Sequence, residues 1–212
     1  MAVGWIQIDG NWYYFDPDGK MATGWRLLDG RYYYMDQQGR MKTGWQQIDG
    51  KWYFFSPEGK MRVGWQQIDN NWYYLGENGQ MTTGWQKVKD LWYYLDTNGT
   101  MKTGWQKING ESYYFHTDGR MLTGWLSDGT NSYYMDPANG RMSTGWKQIE
   151  NSYYYFNNSG HKLTGWVQID GTYYYLNPSD KGRMAANTTL KIDGVSYTFA
   201  ANGACTTSNG NA

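Results

Sequence analysis

Tryptophan is the residue type whose spacing in this 212-residue chain most directly suggests chemistry. Nine of the thirteen tryptophans follow a glycine, at intervals of 20 residues with one interval of 21. The other four each lie seven residues after one of these and form pairs such as Trp45 and Trp52. Flat, electron-rich rings around a gap suit a quaternary ammonium, which the ring quadrupoles attract. Because they also suit a sugar ring, the pattern predicts ligand binding without deciding between these two ligands.

Titratable residues form no catalytic or metal-binding pattern. His116 and His161 fall in variable turns, and the recurrent aspartates, such as Asp9, occupy turns that favour Asp for its backbone preference. The single cysteine, Cys205, lies in the C-terminal tail, and no Cys/His cluster has metal-ligand spacing. We therefore expect a non-catalytic protein that uses neither a cofactor nor a metal.

Charge and hydropathy exclude two classes of partner. The 19 basic and 19 acidic residues balance without a basic block, which argues against nucleic acid as a partner. No apolar run is long enough for membrane insertion. The chain begins within a repeat, at Val3-Gly4-Trp5, so we expect a module of a longer protein.

The 20-residue period predicts an all-β architecture of stacked hairpins. In the first repeat, two β-rich runs flank Asp9-Gly10, which is typical of a two-residue type I′ turn. Because a lone hairpin is marginally stable in water, neighbouring hairpins must cover its apolar face. We predict about nine repeats over residues 1–186, with full Trp/Trp units mainly in 1–104, divergent units in 105–186, and a degenerate hairpin with a polar tail in 187–212.

The two-residue turn also predicts the register and the two faces of each hairpin. It pairs Trp5 with Tyr14 and Gln7 with Trp12, and successive side chains then alternate between faces. One face carries Trp5, Gln7, Trp12 and Tyr14, and the other carries Ile6, Ile8, Tyr13 and Phe15. We interpret the first as a ligand face and the second as the stacking face.

The last repeat supports that division. It keeps the second face and loses the aromatic residues of the first. The retained residues are Leu190, Ile192, Tyr197 and Phe199, and the replacements are Thr189, Ser196 and Thr198. A capping repeat has this pattern, although simple sequence drift would also produce it.

The repeated string is Thr-Gly-Trp, a hairpin turn, Trp-Tyr-Tyr-(Phe/Leu), Gly and Met. From residue 3 to about residue 184 it resembles the choline-binding repeat of surface proteins and cell-wall hydrolases of pneumococci, related streptococci and their phages. The resemblance implies a left-handed β-solenoid that holds choline between consecutive hairpins. It also implies a secreted protein attached non-covalently to the bacterial cell surface, with the phosphocholine of teichoic and lipoteichoic acids as its natural ligand.

The resemblance further implies five choline cages, each built from two aromatic residues of one hairpin and one of the next. They are Trp5, Trp12 and Tyr34; Trp25, Tyr32 and Phe54; Trp45, Trp52 and Tyr74; Trp65, Trp72 and Tyr94; and Trp85, Trp92 and Tyr114. The second cage departs from the family pattern, so we expect a weaker site there. The methionine that ends each repeat, such as Met41, Met81 or Met101, either lines a cage or fills the seam between repeats, and we favour the seam.

The second half departs from the family pattern. Ser112 and Ser132 replace the second tryptophan, and two turns are lengthened, by Ala138 and by 179–181. Weaker candidate sites here are Trp105 with Tyr134, Trp125 with Tyr155, and Trp146 with Tyr153 and Tyr175. These units equally resemble the glucan-binding repeats of streptococcal glucosyltransferases and the carbohydrate-binding repeats of clostridial toxins. The alternatives are therefore a glycan-binding module, or an adhesin whose second half contacts a host or wall protein.

Overall fold

The computed structural model describes residues 2–209 as a succession of antiparallel β-hairpins, which confirms the predicted all-β class. The chain divides into two compact units, which we call the N-unit and the C-unit. The N-unit runs to Thr103 and includes Asp118–Arg120; the C-unit comprises Gly104–Thr117 and the chain from Met121 onward. No helix within residues 2–209 has the length and hydropathy needed to cross a membrane.

The N-unit contains five hairpins, one per repeat. They pair β1 (Gly4–Ile8) with β2 (Asn11–Phe15), β3 (Gly24–Leu28) with β4 (Arg31–Met35), β5 (Gly44–Ile48) with β6 (Lys51–Phe55), β7 (Gly64–Ile68) with β8 (Asn71–Leu75), and β9 (Gly84–Val88) with β10 (Leu91–Leu95).

The C-unit contains five further hairpins, the last two extended by a third strand. They pair β11 (Gly104–Ile108) with β12 (Glu111–Phe115), β13 (Gly124–Ser127) with β14 (Ser132–Met135), β15 (Gly145–Ile149) with β16 (Ser152–Phe156), β17 (Gly165–Ile169) with β18 (Thr172–Asn177) and β19 (Arg183–Met184), and β20 (Thr188–Ile192) with β21 (Val195–Phe199) and β22 (Cys205–Asn209). A 3₁₀ turn at Pro178–Asp180 precedes β19.

The predicted hairpin turn and register are confirmed in the first repeat. Asp9 and Gly10 both have positive φ, 48° and 79°, as a type I′ turn requires. Trp5 pairs with Tyr14 and Gln7 with Trp12. The turn chemistry therefore sets which side chains share a face.

The seventh hairpin keeps its register with a different turn. Its Asp-Gly pair begins three residues after Trp125, one residue earlier than in the third repeat, so a two-residue turn there would shift the strand pairing. A four-residue turn over 128–131 forms instead, and Trp125 still pairs with Tyr134. The Asp128 carboxylate accepts hydrogen bonds from the backbone N–H groups of Thr130 and Asn131, at 2.9 and 2.7 Å. Packing between hairpins therefore outweighs the local turn preference.

Successive hairpins stack front to back. The Trp25 ring lies 4.9 Å from Tyr53 and 5.7 Å from Phe55 of the next hairpin, between ring centroids. In eight hairpins the second-strand residue that pairs with the glycine of the first strand is completely buried: Met35, Phe55, Leu75, Leu95, Phe115, Met135, Phe156 and Leu176. Because the tryptophan face of one hairpin covers the stacking face of the next, the first tryptophan of each repeat is part of the core as well as of the predicted ligand face.

The methionine at the end of each repeat ties neighbouring repeats together. The Met41 backbone N–H donates to the Trp12 carbonyl at 2.8 Å, and Met81 donates to Trp52 in the same way. The Met41 thioether also fills the space over Gly59, where a Cβ atom would overlap the sulfur. The expectation that these methionines fill the seam is confirmed.

The last hairpin packs against its neighbour through its stacking face. Trp166 packs against Tyr197 and Phe199, with ring centroids 4.7 and 5.7 Å apart. On its other face the hydroxyls of Thr189 and Thr198 hydrogen-bond to each other at 3.1 Å. Residues 210–212, the end of the predicted polar tail, lie outside the described residues. That this hairpin acts as a cap stays a prediction.

Candidate functional site

Pairs of tryptophans form right-angled corners on the N-unit hairpins. Trp45 and Trp52 have ring centroids 6.3 Å apart and planes at 86°. The pairs Trp65/Trp72 and Trp85/Trp92 repeat this geometry, at 6.4 and 6.1 Å. In the second hairpin the corner consists of Trp25 and Tyr32, at 6.3 Å and 86°.

The two tryptophans of a corner differ in their surroundings. Trp45 is partly buried because Tyr73 of the next hairpin packs against it. Trp52 is 42% exposed and projects near the hairpin turn. A large exposed indole adds little to the core, so its repeated presence points to a ligand.

A tyrosine of the next hairpin lies against the first tryptophan in four hairpins of the N-unit and supplies a third wall. Tyr33 lies 5.0 Å from Trp5, and Tyr73 lies 4.9 Å from Trp45, between centroids. Tyr53 and Tyr93 stand in the same relation to Trp25 and Trp65. Three aromatic rings thus bound one open space.

Two of these spaces are well-defined cavities that draw on three successive hairpins. One, of about 420 Å³, is lined by Trp5, Trp12, Tyr33, Met41, Pro57, Glu58 and Lys60. The other, of about 350 Å³, is lined by Trp45, Trp52, Tyr73, Met81, Thr97 and Asn98. In each, the turn two repeats farther along the chain forms the outer rim. The methionine therefore lines the cavity in addition to filling the seam.

In four hairpins the tyrosine that packs from the next hairpin lies one position before the residue expected as the third member of the cage. The expected residues pack instead against the first tryptophan of their own hairpin, at 5.0–5.3 Å between centroids. These residues are Tyr34, Phe54, Tyr74, Tyr94, Tyr114, Tyr134, Tyr155 and Tyr175.

Strand alternation explains this shift. Tyr34 shares a face with Trp25, and that face points to the following hairpin, whereas Tyr33 points back to the preceding one. Front-to-back stacking therefore brings Tyr33 to Trp5. The sequence shows the alternation of side chains along a strand, but it does not show in which direction the hairpins stack.

The rim of the first cavity carries a carboxylate. Glu58 accepts a hydrogen bond from the Ser56 hydroxyl at 2.7 Å, and this bond holds the pKa of Glu58 below its usual value. Lys60 lies on the same rim, so the rim has no net charge and the aromatic faces are the feature that favours a cationic ligand. The second cavity has the neutral Asn98 on its rim.

The C-unit keeps the stacking contacts and loses the corners. Trp105 packs on Tyr133 and Trp125 on Tyr154, at 4.9 and 5.2 Å. With a serine in the second position, these two indoles are 39% and 44% exposed. Trp146 contacts Tyr174 at 4.9 Å, and its expected partner Tyr153 is exposed. None of the weaker candidate sites in the described C-unit therefore has a Trp/Trp corner.

A cavity of about 540 Å³ lies beside Trp125 in the C-unit. Lys162 occupies the place of the seam methionine there, and its ammonium lies over the Trp125 ring, 5.4 Å from the centroid. Burial lowers the pKa of this ammonium. Lys181, Arg183 and Glu150 also line the cavity.

The chain matches the choline-binding repeat family over residues 2–43, 42–81, 63–103, 102–144 and 143–189. Among solved structures, CbpJ from Streptococcus pneumoniae TIGR4 is 32% identical with a TM-score of 0.82, and the match covers 97% of this chain and 88% of that one. Choline binding protein F from Streptococcus pneumoniae is 32% identical with a TM-score of 0.75, covering 97% and 87%.

The modular autolysin LytC from Streptococcus pneumoniae, in complex with a synthetic peptidoglycan ligand, is 26% identical with a TM-score of 0.69. That match covers 98% of this chain and 47% of LytC. A comparison with curated protein sequences finds no match. The repeat matches span nearly the whole chain, and the two structures more than 30% identical match almost all of it, so this chain belongs to the choline-binding repeat family.

Proposed function

We propose that this chain is a non-catalytic module that binds choline in the aromatic corners of the N-unit and thereby holds a secreted protein on phosphocholine-bearing teichoic acids. The observation that carries the proposal is the right-angled Trp/Trp corner closed by a tyrosine of the next hairpin. A trimethylammonium group donates no hydrogen bonds, so ring faces and methyl contacts suffice to hold it.

The proposed sites follow the observed geometry. Each consists of two aromatic residues of one hairpin and the neighbouring tyrosine that packs on them. They are Trp5, Trp12 and Tyr33; Trp25, Tyr32 and Tyr53; Trp45, Trp52 and Tyr73; and Trp65, Trp72 and Tyr93. The corner of Trp85 and Trp92 supplies two walls of a further site.

Single sites of this kind are weak. A cation–π contact contributes roughly 0.5–2 kcal/mol, so three rings give a dissociation constant of about 1 mM after association costs. A polymer that carries many cholines engages several sites at once, and linkage raises the apparent affinity by roughly 10²–10⁴. Repetition of the corner is therefore the mechanism of attachment.

Retention on an immobilised choline resin, followed by elution with free choline, tests the proposal. We expect the combined variant Trp52→Ala, Trp72→Ala, Trp92→Ala to lose retention. The matched control is Tyr173→Ala, which removes an aromatic residue from the same repeat position of a C-unit hairpin, where the side chain is 53% exposed. Elution by sodium chloride as readily as by choline would contradict the proposal.

Glycan binding by the C-unit is a second candidate, because Trp105 and Trp166 present single exposed indole faces without a second tryptophan. Such platforms are flat enough to stack on a sugar ring. Retention on dextran that Trp105→Phe weakens would support this candidate. Alternatively, the C-unit contacts a host or wall protein; in that case, partner binding survives the triple corner variant while wall retention is lost.

A further inference from the structure

The cavity beside Trp125 occupies the same place in its repeat as the choline corners, but two of its residues have changed. Ser132 stands where the second tryptophan stands in the N-unit, and Lys162 stands where Met41 or Met81 stands. The backbone confirms the equivalence, because the Lys162 N–H donates to the Ser132 carbonyl at 2.8 Å, as Met41 does to Trp12. The cavity is thus a converted repeat site.

A side chain of the protein occupies the position over Trp125 where a cationic ligand would bind. The ammonium of Lys162 lies 5.4 Å from the centre of the Trp125 ring and donates to the Lys181 carbonyl at 2.7 Å. The Lys162 stem passes within 3.4 Å of the position a Cβ on Gly182 would take, much as the Met41 thioether covers Gly59. Lys162 therefore fills the seam and extends its charge into the cavity.

Two more cationic groups meet Lys162 there. Lys181 and Arg183 line the cavity; Lys181 comes from the lengthened turn that distinguishes this repeat, and Arg183 begins β19. Arg183 is oriented by hydrogen bonds to the Tyr154 hydroxyl at 3.3 Å and to Asp180 at 3.4 Å. Among the described lining residues Glu150 is the single carboxylate. Because Asp180 pairs with Arg183 at 3.4 Å, the three cationic groups face two carboxylates and leave an excess of one positive charge.

We propose that this cavity binds a phosphate group, held by Lys162, Lys181 and Arg183 beside Trp125, and that it excludes choline. The net positive charge favours an anion, and lysine ammonium and arginine guanidinium groups both make charge-assisted hydrogen bonds to phosphate oxygens. Choline on this face of Trp125 would meet the Lys162 ammonium, and the two positive charges would repel each other. The inference is independent of choline binding by the N-unit.

The test is a titration of the full chain with inorganic phosphate, observed through the indole N–H resonance of Trp125 at constant ionic strength. We expect a saturable shift of Trp125 with phosphate, and no shift of Trp125 with choline at concentrations that move the Trp45 resonance. The Lys162→Met variant restores the residue found in the other repeats, so it should fold normally and weaken phosphate binding about tenfold. Lys191→Met removes an exposed lysine outside the cavity and should leave phosphate affinity unchanged.

Because Lys162 also fills the seam, a second variant is needed to separate loss of phosphate binding from a change in packing. Arg183→Gln leaves Lys162 and the stacking residues in place, and it should also weaken phosphate binding about tenfold. The inference is overturned if sodium chloride reproduces the phosphate shifts, if both variants bind phosphate as the parent chain does, or if choline shifts Trp125 of the parent chain as strongly as Trp45.

Discussion

The N-unit and the C-unit share one stacking scheme, and the difference that removes the Trp/Trp corners lies at one repeat position. In both, the first tryptophan packs on a tyrosine of the next hairpin, as Trp45 does on Tyr73 and Trp146 on Tyr174, each at 4.9 Å. Seven residues later the N-unit places Trp52, and the C-unit places Ser112, Ser132, Tyr153 or Tyr173. The comparison teaches that the core needs one tryptophan per repeat, while the second one can be lost without disturbing the fold.

Choline should stabilise the N-unit far more than the C-unit, because only the N-unit has Trp/Trp corners. Binding to the native state alone contributes about 2.7 kcal/mol per site at a hundredfold excess over the dissociation constant. Calorimetric unfolding in choline chloride, against sodium chloride at equal concentration, measures the effect. If choline protected the backbone amides of both units equally from hydrogen exchange, the predicted difference between the units would be wrong.

The two tryptophans of one corner should separate stability from binding. We expect Trp45→Ala to lower the free energy of unfolding by about 3 kcal/mol, because it removes a core contact with Tyr73. Trp52→Ala removes a side chain that is 42% exposed and should cost under about 1 kcal/mol. Both variants should lose the choline site. Urea denaturation without choline is the measurement, and equal losses would show that the division of roles is wrong.

Glycine substitutions should report how tightly a methionine seam and the Lys162 seam are filled. Gly59→Ala places a Cβ onto the Met41 thioether, whereas a Cβ at Gly182 comes no closer than 3.1 Å to any neighbour. Both positions have positive φ, which costs an alanine roughly 1–2 kcal/mol, so the added overlap should make Gly59→Ala the more harmful change by about 1 kcal/mol. Thermal unfolding of the two variants compares them directly, and Gly50→Ala, with positive φ and open space, serves as the control.

Restoring the second tryptophan should create a corner in the C-unit. Ser112→Trp would place an indole beside Trp105, which already packs on Tyr133. We expect one additional choline site in equilibrium dialysis and a change in stability without choline of under about 0.5 kcal/mol. A variant that gains no site would mean that the corner needs more than its three rings.

The smallest expected effect concerns the atypical turn of the seventh hairpin. Hydrogen bonds from the Asn131 and Thr130 backbone and from the Tyr133 hydroxyl lower the pKa of Asp128 to about 2. A carboxyl whose pKa is lower in the folded state than in the unfolded state stabilises the fold at a pH above its unfolded-state pKa. That contribution is lost as the pH falls toward the folded-state pKa of about 2. Stability should therefore decrease between roughly pH 4 and pH 2.

The control for this effect is Asp128→Asn, which keeps the turn acceptor and removes the titration. Its free energy of unfolding should vary less with pH in that window, as measured by urea denaturation at several pH values. Identical pH dependence in the two proteins would show that the Asp128 hydrogen bonds do not contribute.

The hairpins were predictable because their information is local. An Asp-Gly turn at fixed distance from Trp5 and Tyr14 determines the pairing, and the structure has that register. The third cage residue was not predictable in this way, because it depends on how one hairpin faces the next. With front-to-back stacking, Tyr33 packs on Trp5, and Tyr34 packs on Trp25 of its own hairpin. Contacts between repeats carry information that no single repeat contains.

Lys162 was also missed, although the sequence holds a signal for it. A methionine precedes the Gly-Trp tryptophan by four residues in every repeat from Met21 to Met142, and a lysine takes that position before Trp166. A lysine at this position can fill the seam with its apolar stem, so the sequence alone does not indicate where its ammonium lies. The chemical consequence appears only when the ammonium is seen over Trp125.

Because each complete cavity uses walls from three successive hairpins, binding capacity depends on neighbourhood more than on the count of tryptophans. A hairpin at either end of an array contributes to fewer cavities than one in the middle. Duplicating an internal repeat would therefore add a whole site. Deleting one would bring together two hairpins that are not adjacent in the present chain and alter the sites on both sides. Selection on the length of such a gene would act in steps of one repeat.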